Sequence, residues 1–377
     1  MRVGIFGGSF NPPHIGHVNA TKSAFSQCEL DHLIVIPAGT PPHKDLPPNS
    51  PTPEMRLQMT NNAFSYECDD SDCSKEIKEI YKNIEVSDIE IFSRDRNYTI
   101  DTVNKIREEY PDAELFLLVG TDMYTTLDTW KDSDLLLKEV TPIELSREVI
   151  PISSSELRGM FSQRKGRDYV ADSNYALIIG KRLYGSKSDW DWLRQQAYSM
   201  LDPLRIPHVV ACEAEACRLA ERWEVNIDEA REAAILHDIT KKLDFYENMC
   251  IISKHGVTFE KHGKNGEKLL HSITGALIAQ TKFGVSDTVS EAIKWHTTGK
   301  AGMSMLEKVV YIADYIEETR CFPGVDELRK LAYTNIDEAM LLGLDMTVED
   351  LKSRGISPDI STTEAINDFK CIISLHP

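Results

Sequence analysis

The sequence predicts two domains of different class, an α/β half followed by an all-α half. Three observations carry that reading. The chain has 377 residues, beyond the roughly 250–300 at which a single hydrophobic core stops growing. Its first half alternates short β-rich apolar runs with helical patterns, the mark of a mainly parallel sheet. From Trp190 onward almost no strand pattern occurs, and helical patterns follow one another. The boundary is expected in YGSKSDW, 184–190, whose Gly and Ser residues suit a linker, giving domains 1–186 and 187–377.

Taken in order, the apolar runs at 3–6, 33–37, 84–92 and 115–119 predict strands, and 99–110 has helical spacing. The stretch CDDSDCSKEIKEIYKN, 68–83, is polar and is expected to be a surface excursion. In the second half, helices are expected at 208–224, 227–243, 266–283, 287–298, 304–320, 335–353 and 362–374. Gly284 and Gly299 stand where C-terminal caps belong. No internal repeat or low-complexity tract interrupts either half.

Composition excludes several classes. A net charge of −18 argues against a general nucleic-acid binder, which needs a basic face. It leaves room for nucleotides held in a local pocket. No stretch approaches the roughly 20 apolar residues of a membrane span. No signal peptide is expected, since Arg2 precedes only a short apolar run broken by glycine. The eight cysteines are scattered, with no CxxC pair, so they read as reduced, cytoplasmic thiols and not as disulfides or zinc ligands. Neither a GxxxxGK[ST] loop nor an HExxH pair occurs.

The N-terminal stretch GGSFNPPHIGH holds the first chemistry. Gly7 and Gly8 follow the first strand, and ligands in open α/β sheets bind beyond the carboxyl ends of strands. Without a Cβ, these residues let phosphate or sugar approach the backbone. The following helix turns free N–H groups and a positive dipole end toward an anion. His14 and His17, three apart, fall on one face and can donate to phosphate oxygens as charge builds during phosphoryl transfer. The plain alternative is a tight turn with two surface histidines.

Further stretches narrow the reading. VIPAGTPPHK, 35–44, supplies Thr40 and Lys44; RNYTIDTV, 96–103, supplies Tyr98 and Thr99; VGTDMY, 119–124, precedes Trp130; ISSSELR, 152–158, supplies Ser154, Ser155 and Arg158. In this order, over about residues 1–186, they resemble the bacterial nicotinate mononucleotide adenylyltransferases of the nucleotidylyltransferase superfamily. The resemblance implies a Rossmann-like parallel-sheet fold. It implies transfer of the adenylyl group of ATP to nicotinate mononucleotide, giving deamido-NAD and pyrophosphate. The mononucleotide phosphate is then the nucleophile, and catalysis is positioning and charge stabilisation by His14, His17, Lys44, Arg158 and Mg²⁺. Gly7, Gly8, Ser9, Phe10, Asp122, Ser154 and Ser155 would contact ATP, and Thr40, Tyr98, Thr99 and Trp130 the mononucleotide. Two departures stand out. Asn97 and Ser155 replace the family's usual Ser and Thr. Between Trp130 and Ile152 only a short segment, KDSDLLLKEVTPIELSREVIP, takes the place of a longer one with another strand, which leaves the preference for nicotinate over nicotinamide open. Nothing resembles the lysine-rich second signature that would accompany this HxGH in a tRNA synthetase.

In the second half His208 follows Pro207 at a helix start, and His237-Asp238 follows the apolar run AAIL. His271, His296 and Asp314 lie on further helical stretches, Asp314 among Val309, Val310, Ile312, Ala313 and Ile316. A carboxylate expected to be buried there is costly unless paired or bound to a cation. Imidazole and carboxylate ligands suit divalent transition metals, and helical folds build metal sites from neighbouring helices. His255, His262 and His376 read instead as ordinary histidines. The ordered set of four His and two Asp resembles the HD phosphohydrolase superfamily, and AAILHDITK, HSITGA, WHTTGK and ADYIEETR resemble its YqeK-like branch over about 190–377. The resemblance makes His208, His237, Asp238 and Asp314 signature ligands and His271 and His296 the extra pair of two-metal members. It implies symmetrical hydrolysis of diadenosine tetraphosphate to two ADP, with iron the expected metal and Lys241 or Lys242 meeting phosphate. Other readings of this half are a different nucleotide phosphate as substrate, or a non-catalytic dimerisation or regulatory module. The expected partners are thus ATP, nicotinate mononucleotide and diadenosine tetraphosphate, with no nucleic acid or membrane and with a homodimer left open.

Overall fold

The short apolar run near the start of the chain, buried along its middle, becomes the centre of a five-stranded sheet. In this computed structural model the described residues are 1–41, 46–47, 49–65, 80–93, 96–145, 152–257 and 266–375. The chain divides into two compact units, Met1–Lys187 and Ser188–Pro377.

In the first unit β1 (Arg2–Gly8), β2 (His32–Pro37), β3 (Ile84–Val86), β4 (Glu114–Gly120) and β5 (Thr141–Leu145) form one sheet in the order β3-β2-β1-β4-β5. Every pairing is parallel, with Val3 beside His32, Arg2 beside Glu114 and Phe116 beside Thr141. Because side chains alternate along a strand, each run feeds two cores. Val3, Ile5, Ile34, Ile36, Leu115 and Leu117 pack on one face with Ile100 and Val103. Phe6, Leu33, Val35, Phe116 and Leu118 pack on the other with Phe10, Ala24 and Phe25. Burial on both faces is what a parallel sheet requires.

Two strand expectations need correction. The run 84–92 is a strand only to Val86; the Ser87 hydroxyl accepts the Ile89 N–H at 3.3 Å and Ile91 N–H donates to Asp88 at 2.8 Å. This turn chemistry takes the chain out of the ladder and leaves Phe92 71% exposed. Conversely, the short segment after Trp130 does contain a strand. β5 pairs only with β4, and an edge strand accommodates Pro142.

Helices α1 (Ile15–Cys28), α2 (Pro53–Phe64), α3 (Thr99–Glu109), α4 (Thr121–Tyr124), α5 (Ser133–Glu139), α6 (Ser154–Phe161) and α7 (Asp172–Gly180) complete the described part of this unit. The polar stretch 68–83 lies largely outside the described residues.

The second unit is helical throughout its described residues. Its helices are α8 (Trp190–Met200), α9 (Ile206–Arg222), α10 (Ile227–Leu236), α11 (Phe245–Lys254), α12 (Gly266–Phe283), α13 (Asp287–Trp295), α14 (Met305–Ile316), α15 (Val325–Thr334), α16 (Ile336–Ser353) and α17 (Ile360–Leu375). Gly284 and Gly299 adopt φ of 63° and 65°, the left-handed conformation of a helix stop. Helices α8, α11 and α15 were not expected from the apolar spacing. Two of them carry N-terminal side-chain caps: Asp189 accepts the Trp192 N–H, and Asp244 forms a capping box with Glu247.

The expected helices 227–243 and 287–298 stop early. α10 ends at Leu236 and α13 at Trp295, so His237 and His296 are the residues at which each chain turns away. Among the described residues no helix is long and apolar enough to cross a membrane.

Candidate functional site

In the first unit a cavity of about 630 Å³ opens at the carboxyl end of the central strands. Gly7, Gly8, Ser9, His14, His17, Asp122, Ser154, Ser155 and Arg158 line it. A Cβ added to Gly7 would meet nothing within 4 Å, so that backbone borders open space. His14 is the N-cap of α1. Its backbone N–H donates to His17 Nδ1 at 3.2 Å, and the two rings lie 3.8 Å apart between centroids. With Nδ1 accepting, the neutral His17 ring carries its proton on Nε2 and has a donor to offer.

Helix α6 closes the site from the other side. Ser153 caps it in a capping box with Glu156. Ser154 Oγ donates to Pro12 O at 3.0 Å, while Arg158 donates to Asn11 O at 2.7 Å and to Ser155 Oγ at 3.0 Å. The motif after β5 is thereby tied to the turn after β1. Burial lowers the Arg158 pKa from its ordinary value.

Other expected residues fall elsewhere. Phe10 does not line the cavity. It is 1% exposed, its ring packed edge-on to Phe6 and Phe64 and 5.1 Å from the His17 ring. Its side chain therefore supports the turn instead of meeting a ligand. Thr40, Tyr98, Thr99 and Trp130 are also absent from the lining of this cavity. Thr40 is exposed, Tyr98 caps α3, and Tyr98 and Trp130 both pack half-buried on the same core face. Lys44 lies outside the described residues.

Two features escaped the sequence. β5 brings Glu144 to the cavity. Arg56, on α2 and fully buried, donates to Ser9 O at 2.9 Å, Ala38 O at 2.5 Å and Gly39 O at 2.8 Å. One guanidinium thus fixes the loops after both β1 and β2. Gly39 must be glycine, since a Cβ would stand 2.1 Å from Glu90 O.

In the second unit all six expected ligands converge. His208 Nε2 lies 3.0 Å from Asp314 Oδ1 and 3.3 Å from His237 Nε2. His271 Nε2 lies 3.3 Å from His296 Nε2, and both face Asp238 Oδ1, at 3.4 and 3.6 Å. Two sets have ligand atoms within 4.8 Å of one another: His208, His237 and Asp314, and His237, Asp238 and His296. His237 and Asp238 are fully buried, whereas the Asp314 side chain keeps 17% exposure, more than its apolar neighbours suggest.

The outer bonds orient the rings. His237 Nδ1 bonds Ala234 O at 2.7 Å and His296 Nδ1 bonds Ile293 O at 2.6 Å, each the carbonyl three residues back on its own helix. His208 Nδ1 bonds the buried Glu317 at 2.9 Å. Each of these oxygens accepts a hydrogen bond from Nδ1–H, so the neutral rings of His208, His237 and His296 turn their Nε2 lone pairs inward. Lys241 Nζ, a donor only, lies 2.8 Å from His271 Nε2. Four imidazole lone pairs and two carboxylates thus face one region, and the buried Asp238 Oδ1 has no hydrogen-bond partner. That donor set fits divalent metal.

Charge agrees with this. Burial would push the Asp314 carboxyl up, but the His208 bond and the charges of His237 and Arg320 hold it well below the usual carboxylate range. Asp238 is likewise held well below, against its burial, chiefly by His237. Burial would lower His237, yet Asp238 and Asp314 raise it above its ordinary 6.5. Arg205 pairs with Asp238 and Arg320 with Asp314 at 2.7 Å. Of the two lysines, Lys241 faces the cluster while Lys242 donates to Ser199 O at 3.3 Å. His255 ends α11, apart from the cluster, and His262 and His376 lie outside the described residues.

The comparisons divide along the same line. A cytidylyltransferase-like family model matches residues 5–162, and an HD domain model matches 205–319. A probable nicotinate-nucleotide adenylyltransferase of Shouchella clausii is 31% identical over 205 residues, 50% of this chain and 99% of that protein. A symmetrical bis(5'-nucleosyl)-tetraphosphatase of Bacillus subtilis is 40% identical over 162 residues, 42% of this chain and 87% of that protein. The chain belongs to both families. A crystal structure described as a predicted HD superfamily hydrolase involved in NAD metabolism, from Clostridium acetobutylicum, is 33% identical and covers 50% of this chain and 100% of its own, with a TM-score of 0.47.

The adenylyltransferase half carries its polar groups at strand ends, and the HD half gathers candidate divalent-metal ligands inside a helical bundle. Three charged residues at the HD half's cluster were not read from the sequence. Arg205 lies three residues before His208, and Glu317 and Arg320 lie three and six after Asp314. They were legible only as charges near helix ends, because the fold alone brings them to their partners.

Proposed function

We propose that the protein is a bifunctional enzyme of nucleotide metabolism. Its first unit transfers the adenylyl group of ATP to nicotinate mononucleotide. An oxygen of the mononucleotide phosphate bonds to the α-phosphorus of ATP, the bond from that phosphorus to the bridging oxygen breaks, and pyrophosphate leaves. The observation that carries this is the pair His14 and His17 beside the open Gly7 backbone, with Arg158 facing the same cavity. These donors hold the triphosphate and meet the charge that grows on it. Mg²⁺ accompanies ATP. Lys44, Thr40, Tyr98, Thr99 and Trp130 keep their proposed roles on family resemblance alone.

The second unit cleaves diadenosine tetraphosphate symmetrically. Water attacks one of the two central phosphorus atoms, the bridge between them breaks, and two ADP result. The convergence of His208, His237, Asp238, His271, His296 and Asp314 carries this reading. A divalent metal held there, which we take to be iron, supplies Lewis acidity toward phosphoryl oxygen and a lowered pKa for water. Arg205, Lys241 and Arg320 bind the phosphate chain. We place both reactions in the cytoplasm, supported by the free thiols of Cys28, Cys212, Cys217, Cys250, Cys321 and Cys371.

Product analysis tests both halves. With ATP and Mg²⁺, nicotinate mononucleotide should give deamido-NAD and pyrophosphate, and nicotinamide mononucleotide should give far less NAD. Diadenosine tetraphosphate should give ADP alone. Equal use of both mononucleotides would remove the base preference; ATP plus AMP would remove symmetrical cleavage.

A further inference from the structure

The stretch 184–190 does not begin as a free linker. At the end of the first unit Arg182, Tyr184 and Gly185 all turn left-handed, with φ of 50°, 58° and 67°. Glycine takes that conformation readily, whereas a bulky aromatic residue is strained in it and keeps it only where its surroundings demand it. The residues that follow hold the turn down. Ser186 Oγ donates to Ile178 O on α7 at 3.0 Å, and the Lys187 N–H donates to Phe161 O at the end of α6 at 3.4 Å.

What the turn presents is Tyr184. Its hydroxyl donates to Asn11 Oδ1 at 2.8 Å, and its ring stacks on Phe161, 5.9 Å between centroids and 23° from parallel. Asn11 is 1% exposed and belongs to the turn after β1. Its Nδ2 donates to Ser50 Oγ at 2.8 Å, and Ser50 Oγ donates to Pro47 O at 2.7 Å. Donors and acceptors alternate along this chain, and it ends on a backbone carbonyl. The Asn11 carbonyl itself accepts from Arg158 at 2.7 Å. Burial pushes the Tyr184 hydroxyl above its ordinary value, against the charges of Arg158 and Arg56, so it stays protonated and keeps donating.

Tyr184 does not line the cavity of the first unit, yet it touches both elements that frame it. The hydroxyl reaches the turn that leads into His14, and the ring rests on α6 three residues beyond Arg158. We infer that Tyr184 is a positioning residue for adenylyl transfer: it braces the turn after β1 against α6 and so holds the Arg158 guanidinium on the triphosphate. The inference rests on the adenylyltransferase reading of the first unit and deepens it. Tyr184 itself meets no substrate. Arg158 answers the charge that grows as pyrophosphate leaves, so a misplaced guanidinium costs turnover more than it costs binding of ATP.

The test is steady-state kinetics of deamido-NAD formation by the full-length chain. Tyr184→Phe keeps the ring on Phe161 and removes the hydrogen bond. It should lower kcat about three- to tenfold, leave KM for ATP within twofold and leave the circular dichroism spectrum unchanged. The second arm is a double-mutant cycle with Arg158→Ala. In that background Tyr184→Phe should change kcat by less than twofold, because the group it positions is gone. An unchanged kcat for Tyr184→Phe alone would overturn the brace. So would the same three- to tenfold loss in the Arg158→Ala background, the sign of a general loosening of the fold. A raised KM for ATP with kcat unchanged would assign Tyr184 to ground-state binding and count against it equally. A parent chain that forms no dinucleotide from either mononucleotide would overturn the adenylyltransferase reading and the brace with it.

Discussion

In the first unit the groups proposed to meet phosphate stand at the ends of parallel strands, on the turn after β1 and the first turns of α6. In the second they are enclosed by helices, with His237 and Asp238 at 0% exposure. The first set is satisfied by the backbone: Ser154 and Arg158 donate to Pro12 and Asn11, and His17 accepts from His14. Such donors keep their geometry without a resident ion and can meet a ligand that brings its own charge and magnesium. The second set gathers lone pairs and carboxylates in an apolar surround, where unpaired charge is costly. Arg205 and Arg320 offset part of it, and the inward Nε2 atoms call for a cation. One unit is thus organised by hydrogen-bond donors and the other by acceptors.

If that contrast is right, substitutions should separate the two chemistries. The largest effect is expected from Asp238→Ala. A catalytic metal supplies several kcal/mol, at tenfold per about 1.4 kcal/mol, so hydrolysis should fall roughly 10³-fold or more as metal content drops; elemental analysis beside the rate checks this. His17→Ala removes one donor and should lower adenylyl transfer about 10²–10³-fold with an unchanged circular dichroism spectrum. A surviving rate would reassign the histidine pair.

Smaller effects sharpen the second unit. Glu317→Gln keeps the shape but weakens the bond that orients His208, and should cost about 10–100-fold in metal affinity, read by chelator competition. Unchanged affinity would make Glu317 a packing residue. Removing metal should lower the unfolding midpoint of the second unit only. At a hundredfold excess over Kd the ion contributes about 2.7 kcal/mol, or roughly 5–10 °C for a domain of this size. A scan in which both units shift would contradict separate stabilisation.

The same contrast explains what could be read from sequence. Groups set by local spacing were legible: Gly7, Gly8, His14 and His17 sit within one strand–turn–helix unit, and β1, β2 and β4 are continuous apolar runs. The six candidate HD ligands were legible as an ordered set, though not their mode of positioning. Apolar spacing carries α10 and α13 past His237 and His296, because it does not show that each ring bonds its own helix three residues back. Pro142 disguised β5, since only its edge position makes a proline tolerable there. Arg56 and Glu317 escaped because their meaning lies in partners 17 to 109 residues away.

The most direct test of the central claim is a cross-assay. Both activities are measured, at saturating metal, in full-length parent, His17→Ala and Asp238→Ala proteins. The account predicts a double dissociation: His17→Ala loses deamido-NAD formation and keeps ADP release from diadenosine tetraphosphate, while Asp238→Ala does the reverse. Loss of both activities in either variant would contradict two independent sites organised in opposite ways.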